Sequence, residues 1–105
     1  MNIDFAKTRR EQMRWLLLLA LNYARPSSAH ESLLLGAAQG VYVDATEIEI
    51  RRELGHLEGS GLAIVTRHPA GFWVATLTST GINCVEYADA CPVGIARPEK
   101  YWASV

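Results

Sequence analysis

A strong charge of either sign is missing from this chain. Its 105 residues hold ten Lys and Arg against eleven Asp and Glu, for a formal net charge of −1. A domain dedicated to nucleic acid usually carries a basic excess, so that class must rest on how charge is distributed and not on its sum. Cysteine is scarce: Cys84 and Cys91 are the only two, no CxxC occurs, and His30, His56 and His68 are scattered. A zinc site needs four clustered ligands, so no metal or cofactor is expected. The two cysteines read as small buried apolar residues in a reducing compartment. On one continuous helix their i, i+7 spacing sets them about 10 Å apart along the face, too far for a disulfide. Long hydrophobic runs are also lacking. Trp15–Leu21 is seven residues, and a membrane span needs about 20. No small-residue cleavage site follows it, and the chain from Asn22 to Pro26 continues a helix and not a leader, which points to a cytoplasmic protein with no membrane partner. Gly-rich phosphate loops, nucleophile elbows and HExxH are absent, so no enzymatic activity is expected. Repeats and low-complexity tracts are absent as well.

Half of the residues are hydrophobic, and a single domain of this size buries roughly 60–65% of its unfolded surface. Asp4 or Thr8 can cap a first helix that runs to about Ala24, where Pro26 stops it. Met13, Leu17, Ala20 and Ala24 form one stripe of that helix, and Leu16, Leu18, Leu19 and Leu21 fill most of the rest. A helix apolar nearly all round must be covered on more than one face. Ser28-x-x-Glu31 predicts the start of a second helix, which Gly40 ends in a left-handed conformation. Asp44, with Glu47 three residues on, predicts the cap of a third helix whose Ile50, Leu54 and Leu57 face the core and which Gly59-Ser60-Gly61 terminates. Leu62–Thr66 and Phe72–Leu77 read as two strands joined by a His68-Pro69-Ala70-Gly71 turn. Thr78 caps a fourth helix that runs to about Asp89. Residues 91–105 read as an extended tail packed by Ile95 and Trp102, so the chain divides into a domain over 1–90 and a tail.

The fold class predicted is α+β: three helices, a two-stranded hairpin, then a closing helix and tail. Two stretches, Leu54-Gly55-His56-Leu57-x-x-x-Gly61-Leu62 and Leu77-Thr78-x-x-Gly81, carry a resemblance to MarR- and ArsR-like winged helix-turn-helix regulators. The tail motif Val93-Gly94-Ile95-Ala96-Arg97-Pro98 resembles that of small winged-helix proteins of Mu-like phages and prophages. These resemblances imply a third helix and a wing hairpin presented to DNA, in a protein of phage or prophage type.

The charges complicate that implication. From Asp44 to Ser60 the chain holds five acids and two bases, a net of −3. Duplex DNA presents one negative charge per about 1.7 Å and repels such a helix. One reading is a solvated face, with Glu49 and Glu53 outward and ion pairs Glu47–Arg51 and Glu49–Arg52. The other is base readout by Arg51, Arg52 and His56 in the major groove, with Arg67 and His68 on the flanking backbone. Lys7, Arg9, Arg10 and Arg14 make the one dense basic cluster, which either touches phosphates or an acidic partner or is the solvated start of the first helix. Phe72 and Trp73 are adjacent on a strand and point to opposite faces.

Two functions follow. The first is a DNA-binding, transcription-regulatory homodimer whose interface includes Trp15, Leu18, Leu19 and Trp102. The second is a winged-helix interaction module that binds a protein partner and not DNA, using its acidic third helix.

Overall fold

A computed structural model gives the fold and describes residues 3–100. Helix α1 spans Phe5–Ala24, strand β1 Ala29–His30, α2 Glu31–Gln39, α3 Glu47–Gly59, β2 Ala63–Arg67, β3 Trp73–Leu77 and α4 Ser79–Val85. The class is α+β, as expected, with four helices and one antiparallel sheet in the order β1-β3-β2. The sheet has three strands where the sequence pattern predicts two. Ala29 and His30 pair with Ala75 and Val74, so β3 is central and no longer an edge. That pairing draws the chain at 29–30 into extended backbone, and α2 therefore starts at Glu31 with His30 as its cap in place of Ser28.

Local signals elsewhere are redistributed in the same way. Asp4 caps α1 by accepting from the Lys7 N–H. Thr46, and not Asp44, caps α3 through the Glu49 N–H, because the Asp44 carboxylate is taken by Arg9. Gly40 ends α2 with φ −64°, an ordinary helical value and not the left-handed one expected. Gly61 does need positive φ: at +75° it turns the chain from α3 into β2, which glycine does without steric penalty.

Met13, Leu17, Leu18 and Leu21 of α1, Leu34 of α2, Ile50, Leu54 and Leu57 of α3, and Leu62 are all buried. Burying each large side chain contributes on the order of 1.5–3 kcal/mol, and this cluster holds α1 between the helices and the sheet. Trp15 lies in the same core, edge-on to Tyr87 with ring centroids 6.2 Å apart.

Helix α4 is shorter than expected. It stops at Val85, and Tyr87 at φ 60° turns the chain back on itself. Cys91 is therefore not on the helix. Its Cα lies 5.1 Å from that of Cys84 and the two are joined as a disulfide, which corrects the expectation of two separated thiols. Residues 91–100 contain no helix or strand. They lie back across α1: Ile95 packs against the core, the Ala96 N–H donates to the Glu11 carbonyl, and Arg97 donates to the carbonyls of Cys84 and Asp89. Trp102 lies outside the described residues. Among the described residues no helix is long and apolar enough to cross a membrane.

Candidate functional site

The acidic third helix and the basic first helix neutralise each other. Arg9 donates from Nε and Nη2 to the two Glu49 oxygens at 2.7 and 2.9 Å and from Nη1 to Asp44 at 2.9 Å, and its guanidinium lies over the Tyr42 ring. Those hydrogen bonds raise the Arg9 pKa and hold the Glu49 carboxyl below its usual range, outweighing the cost of its partial burial. Arg14 donates from Nε to Glu53 Oε1 at 2.8 Å and from Nη1 to the Gly94 carbonyl at 2.9 Å. Glu53 is only 1% exposed. Two expectations are thereby corrected: Glu49 and Glu53 do not form an outward acidic face, and Glu49 pairs with Arg9 and not with Arg52. The Glu47–Arg51 pair is present at 3.1 Å. With Arg67 on Glu58 at 3.0 Å, every acid from Asp44 to Glu58 has a cationic partner.

Arg51 ties the β2–β3 hairpin to α2 and α3. Its Nε and Nη2 donate to both oxygens of Glu31 at 2.6 and 2.7 Å, and Nη2 also reaches the Gly71 carbonyl at 2.7 Å. Glu31 is 4% exposed and also accepts from the Trp73 N–H at 2.6 Å. The Arg51 hydrogen bonds, helped by Trp73, hold the Glu31 carboxyl low against the opposing effect of burial. Drawing Arg51 away to a base would leave Glu31 buried and uncompensated, which is strongly unfavourable. The guanidinium carbons of Arg51 and Arg67 both lie over the Trp73 ring, 4.9 and 4.3 Å from its centroid. Phe72 stacks with both His30 and His68, with ring centroids 5.0 and 4.3 Å apart. β3 begins at Trp73, so Phe72 lies just before the strand and not on it, and each of the two aromatics is partly covered within the chain. A cleft of about 310 Å³ lies beside Arg51, lined also by His30, Glu31 and Phe72 among others.

The remaining candidate DNA contacts divide sharply. His68 is exposed and accepts through Nδ1 from the Ala70 N–H at 3.0 Å. His56 faces α1 and the tail and not outward: Gly94 sits over it, and among the described residues its buried Nε2 has no hydrogen-bond partner, nor does Glu53 Oε2. Lys7 pairs with Glu11 at 3.2 Å. Arg52 is exposed, and neither it nor Arg10 makes a hydrogen bond or ion pair among the described residues.

Burial lowers the His56 pKa from its ordinary 6.5, the Arg14 cation lowers it further, and Glu53 opposes both. The folded state thus prefers neutral His56, and the unfolded chain takes up its proton first as pH falls. The His56 contribution to stability is complete above about pH 6.5, declines below it, and levels off once folded His56 is itself protonated. The low-lying carboxyls of Glu31 and Glu49 add a second decline below their ordinary 4.5. Denaturant unfolding across pH 8 to 3 should show both steps, and His56→Gln should remove only the upper one. A profile flat between pH 7 and 5 would refute the burial of neutral His56.

Of the expected dimer residues, Trp15 (8% exposed) and Leu18 (0%) are spent inside the chain's own core, which corrects their assignment to an interface. Leu19 is 42% exposed. It borders an apolar groove of about 620 Å³ between α1 and α2, which is lined also by Leu16, Ala20, Tyr23, Leu33, Gly36 and Ala37. The sequence predicts neither this groove nor the partners of Glu31 and Arg97, which it places only in a helix cap and in a tail motif. The visible signal was α2 itself, Glu31-Ser-Leu-Leu-Leu-Gly-Ala-Ala-Gln39, whose only charge is at its first residue.

Comparison with protein-family models, with curated proteins and with solved structures finds no match to this chain.

Proposed function

We propose that this chain is a winged-helix module that docks onto protein and does not read DNA. The order α1-β1-α2-α3-β2-β3, with a β2–β3 hairpin beside the third helix, supports the winged-helix reading. The observation that carries the function is the internal pairing of charge. Of the seven Lys and Arg side chains that the sequence offers to DNA, Lys7, Arg9, Arg14, Arg51 and Arg67 each face a carboxylate within the chain. Arg10 and Arg52, unpaired among the described residues, would release counterions from about two phosphates, giving a salt slope near −1.8 where a committed binder with six to ten contacts has a slope of about −5 to −9. The tail's likeness to small phage and prophage proteins and a cytoplasmic setting belong to the same proposal.

One observation favours the DNA reading. Arg52 stands exposed and unpaired among the described residues, on the helix that a winged helix presents to the major groove.

Fluorescence anisotropy with a labelled random duplex separates the two. At about 50 mM salt, the protein-docking reading expects no binding tighter than about 100 µM, the weak edge of non-specific affinity. Micromolar binding that falls steeply with added salt, and that Arg52→Ala weakens, would overturn the proposal in favour of a regulator.

A further inference from the structure

We infer that the Cys84–Cys91 bridge is a redox latch, which holds residues 92–98 as a strap across α1 and α3 when oxidised and lets that strap lift when reduced. The inference stands whether the chain docks onto protein or onto DNA.

The strap depends on the ring of residues that the bridge closes. Residues 91–100 form neither helix nor strand, so no ladder of backbone hydrogen bonds keeps them in place. Their far end is seated on the ring itself. Arg97 donates to the carbonyls of Cys84 and Asp89 at 3.0 and 2.8 Å, and its guanidinium lies over the Tyr87 ring. The Tyr87 hydroxyl donates to the Pro98 carbonyl at 2.7 Å. Cys84, Tyr87 and Asp89 all lie within the segment that the bridge closes. Tyr87 holds φ 60° there, a conformation costly for a residue with a side chain and kept only where its surroundings impose it. Opening the ring enlarges the set of conformations that a lifted strap can adopt. One bond thus governs both the root of the strap and the seat of its far end.

What lies under the strap opposes its closure. Arg14 Nη1 donates to the Gly94 carbonyl at 2.9 Å, and the Ala96 N–H donates to the Glu11 carbonyl at 3.2 Å. A Cβ at Gly94 would stand 3.2 Å from Arg14 Nη1 and 3.6 Å from His56 Nε2, so the backbone here roofs both side chains. Among the described residues the buried His56 Nε2 and Glu53 Oε2 have no hydrogen-bond partner. Water reaching them would remove that penalty, which favours lifting.

Access suits thiol exchange. Cys84 is buried and Cys91 half-buried, so the thiolate of a small dithiol attacks Cys91 Sγ. The Cys84–Cys91 bond breaks, and Cys84 leaves as a thiolate and takes up a proton. The second thiol of the reductant then displaces Cys91 from the mixed disulfide, and Cys91 is protonated in turn. Two electrons and two protons pass to the chain, and the dithiol becomes a cyclic disulfide. Oxidised glutathione reverses the exchange and leaves as two glutathione thiols.

Amide hydrogen exchange on the whole chain, followed by NMR before and after reduction with dithiothreitol, tests this. Reduction should speed exchange at the Ala96 amide about tenfold or more and leave the Leu54 amide in α3 unchanged, the mark of local opening. Oxidised glutathione should restore the slow rate. Cys91→Ser without reductant should exchange at Ala96 as reduced wild type does, and dithiothreitol should change it no further. Equal Ala96 rates in the two redox states overturn the inference. So does acceleration of Ala96 and Leu54 by the same factor, which would make the bridge a staple of the whole fold. Alkylation of both cysteines by iodoacetamide after equilibration with oxidised glutathione overturns it as well. Should Cys91→Ser not fold, the comparison of oxidised with reduced wild type still decides.

Discussion

Glu53→Ala is expected to destabilise the fold by about 3–5 kcal/mol, the range found when one member of a buried ion pair is removed. Domains of this kind hold about 5–15 kcal/mol in total, so the variant should unfold well below the wild-type temperature. The reason lies with Arg14. Its side chain is 12% exposed and the Glu53 side chain 2% exposed, so water cannot take over the lost contact. The Gly94 carbonyl remains as an acceptor but carries no full charge. The pair is not an optimal arrangement, because among the described residues Glu53 Oε2 has no hydrogen-bond partner. Replacing both residues with apolar ones of similar volume, Arg14→Met with Glu53→Leu, should therefore recover most of the loss, as the high cost of desolvating two charges implies. Denaturant unfolding of the two variants side by side decides the matter. A Glu53→Ala protein within about 1 kcal/mol of wild type would mean that the two helices are held by apolar packing alone.

Gly81→Ala is expected to cost about 3 kcal/mol or more, the upper end of what overpacking usually does. A methyl at Gly81 collides with the Leu62 carbonyl oxygen and also meets the Leu77 side chain. The first obstacle is backbone, held in place from both sides. The Thr78 N–H donates to that same Leu62 oxygen at 3.0 Å, and the Thr78 hydroxyl donates to the Gly61 carbonyl at 2.6 Å while accepting from the Gly81 N–H at 3.0 Å. Either the start of α4 or the turn between α3 and β2 must shift. Gly55→Ala is the matched control. It lies within α3 with nothing within 4 Å of the added Cβ, and should stabilise by about 0.8–1.0 kcal/mol through helix propensity. If both substitutions move the unfolding midpoint in the same direction, the close approach of α4 to Leu62 is wrong.

What could be read from the residues was local. The Thr78 cap, the Pro69–Gly71 loop, the hairpin and the α3 stripe of Ile50, Leu54 and Leu57 each follow from a pattern within a few positions, and each is present. Strand β1 escaped because two residues have no periodicity, and its pairing partner lies more than forty positions away. The capping choices at Ser28 and Asp44 failed because both residue types suit several turn roles, and non-local contacts decided between them. Charge was misjudged for a related reason. The acids of α3 and the bases of α1 were each plain to see, but spacing along one helix shows only i, i+4 partners. The bonds Arg9–Glu49, Arg14–Glu53 and Arg51–Glu31 span 40, 39 and 20 positions and depend on which helix lies on which. The Cys84–Cys91 bridge was missed because it exists only if α4 ends early, and no proline or glycine between Val85 and Cys91 announces that end.

The guanidinium of Arg51 touches the first turn of α2, the first turn of α3 and the hairpin loop at Gly71. The hairpin is thus fastened near its tip as well as at its root. A flap secured at both ends cannot swing independently, so whatever grips the loop also pulls on α2, and the groove-lining Gly36 and Ala37 lie about one and a half helical turns along that same rod.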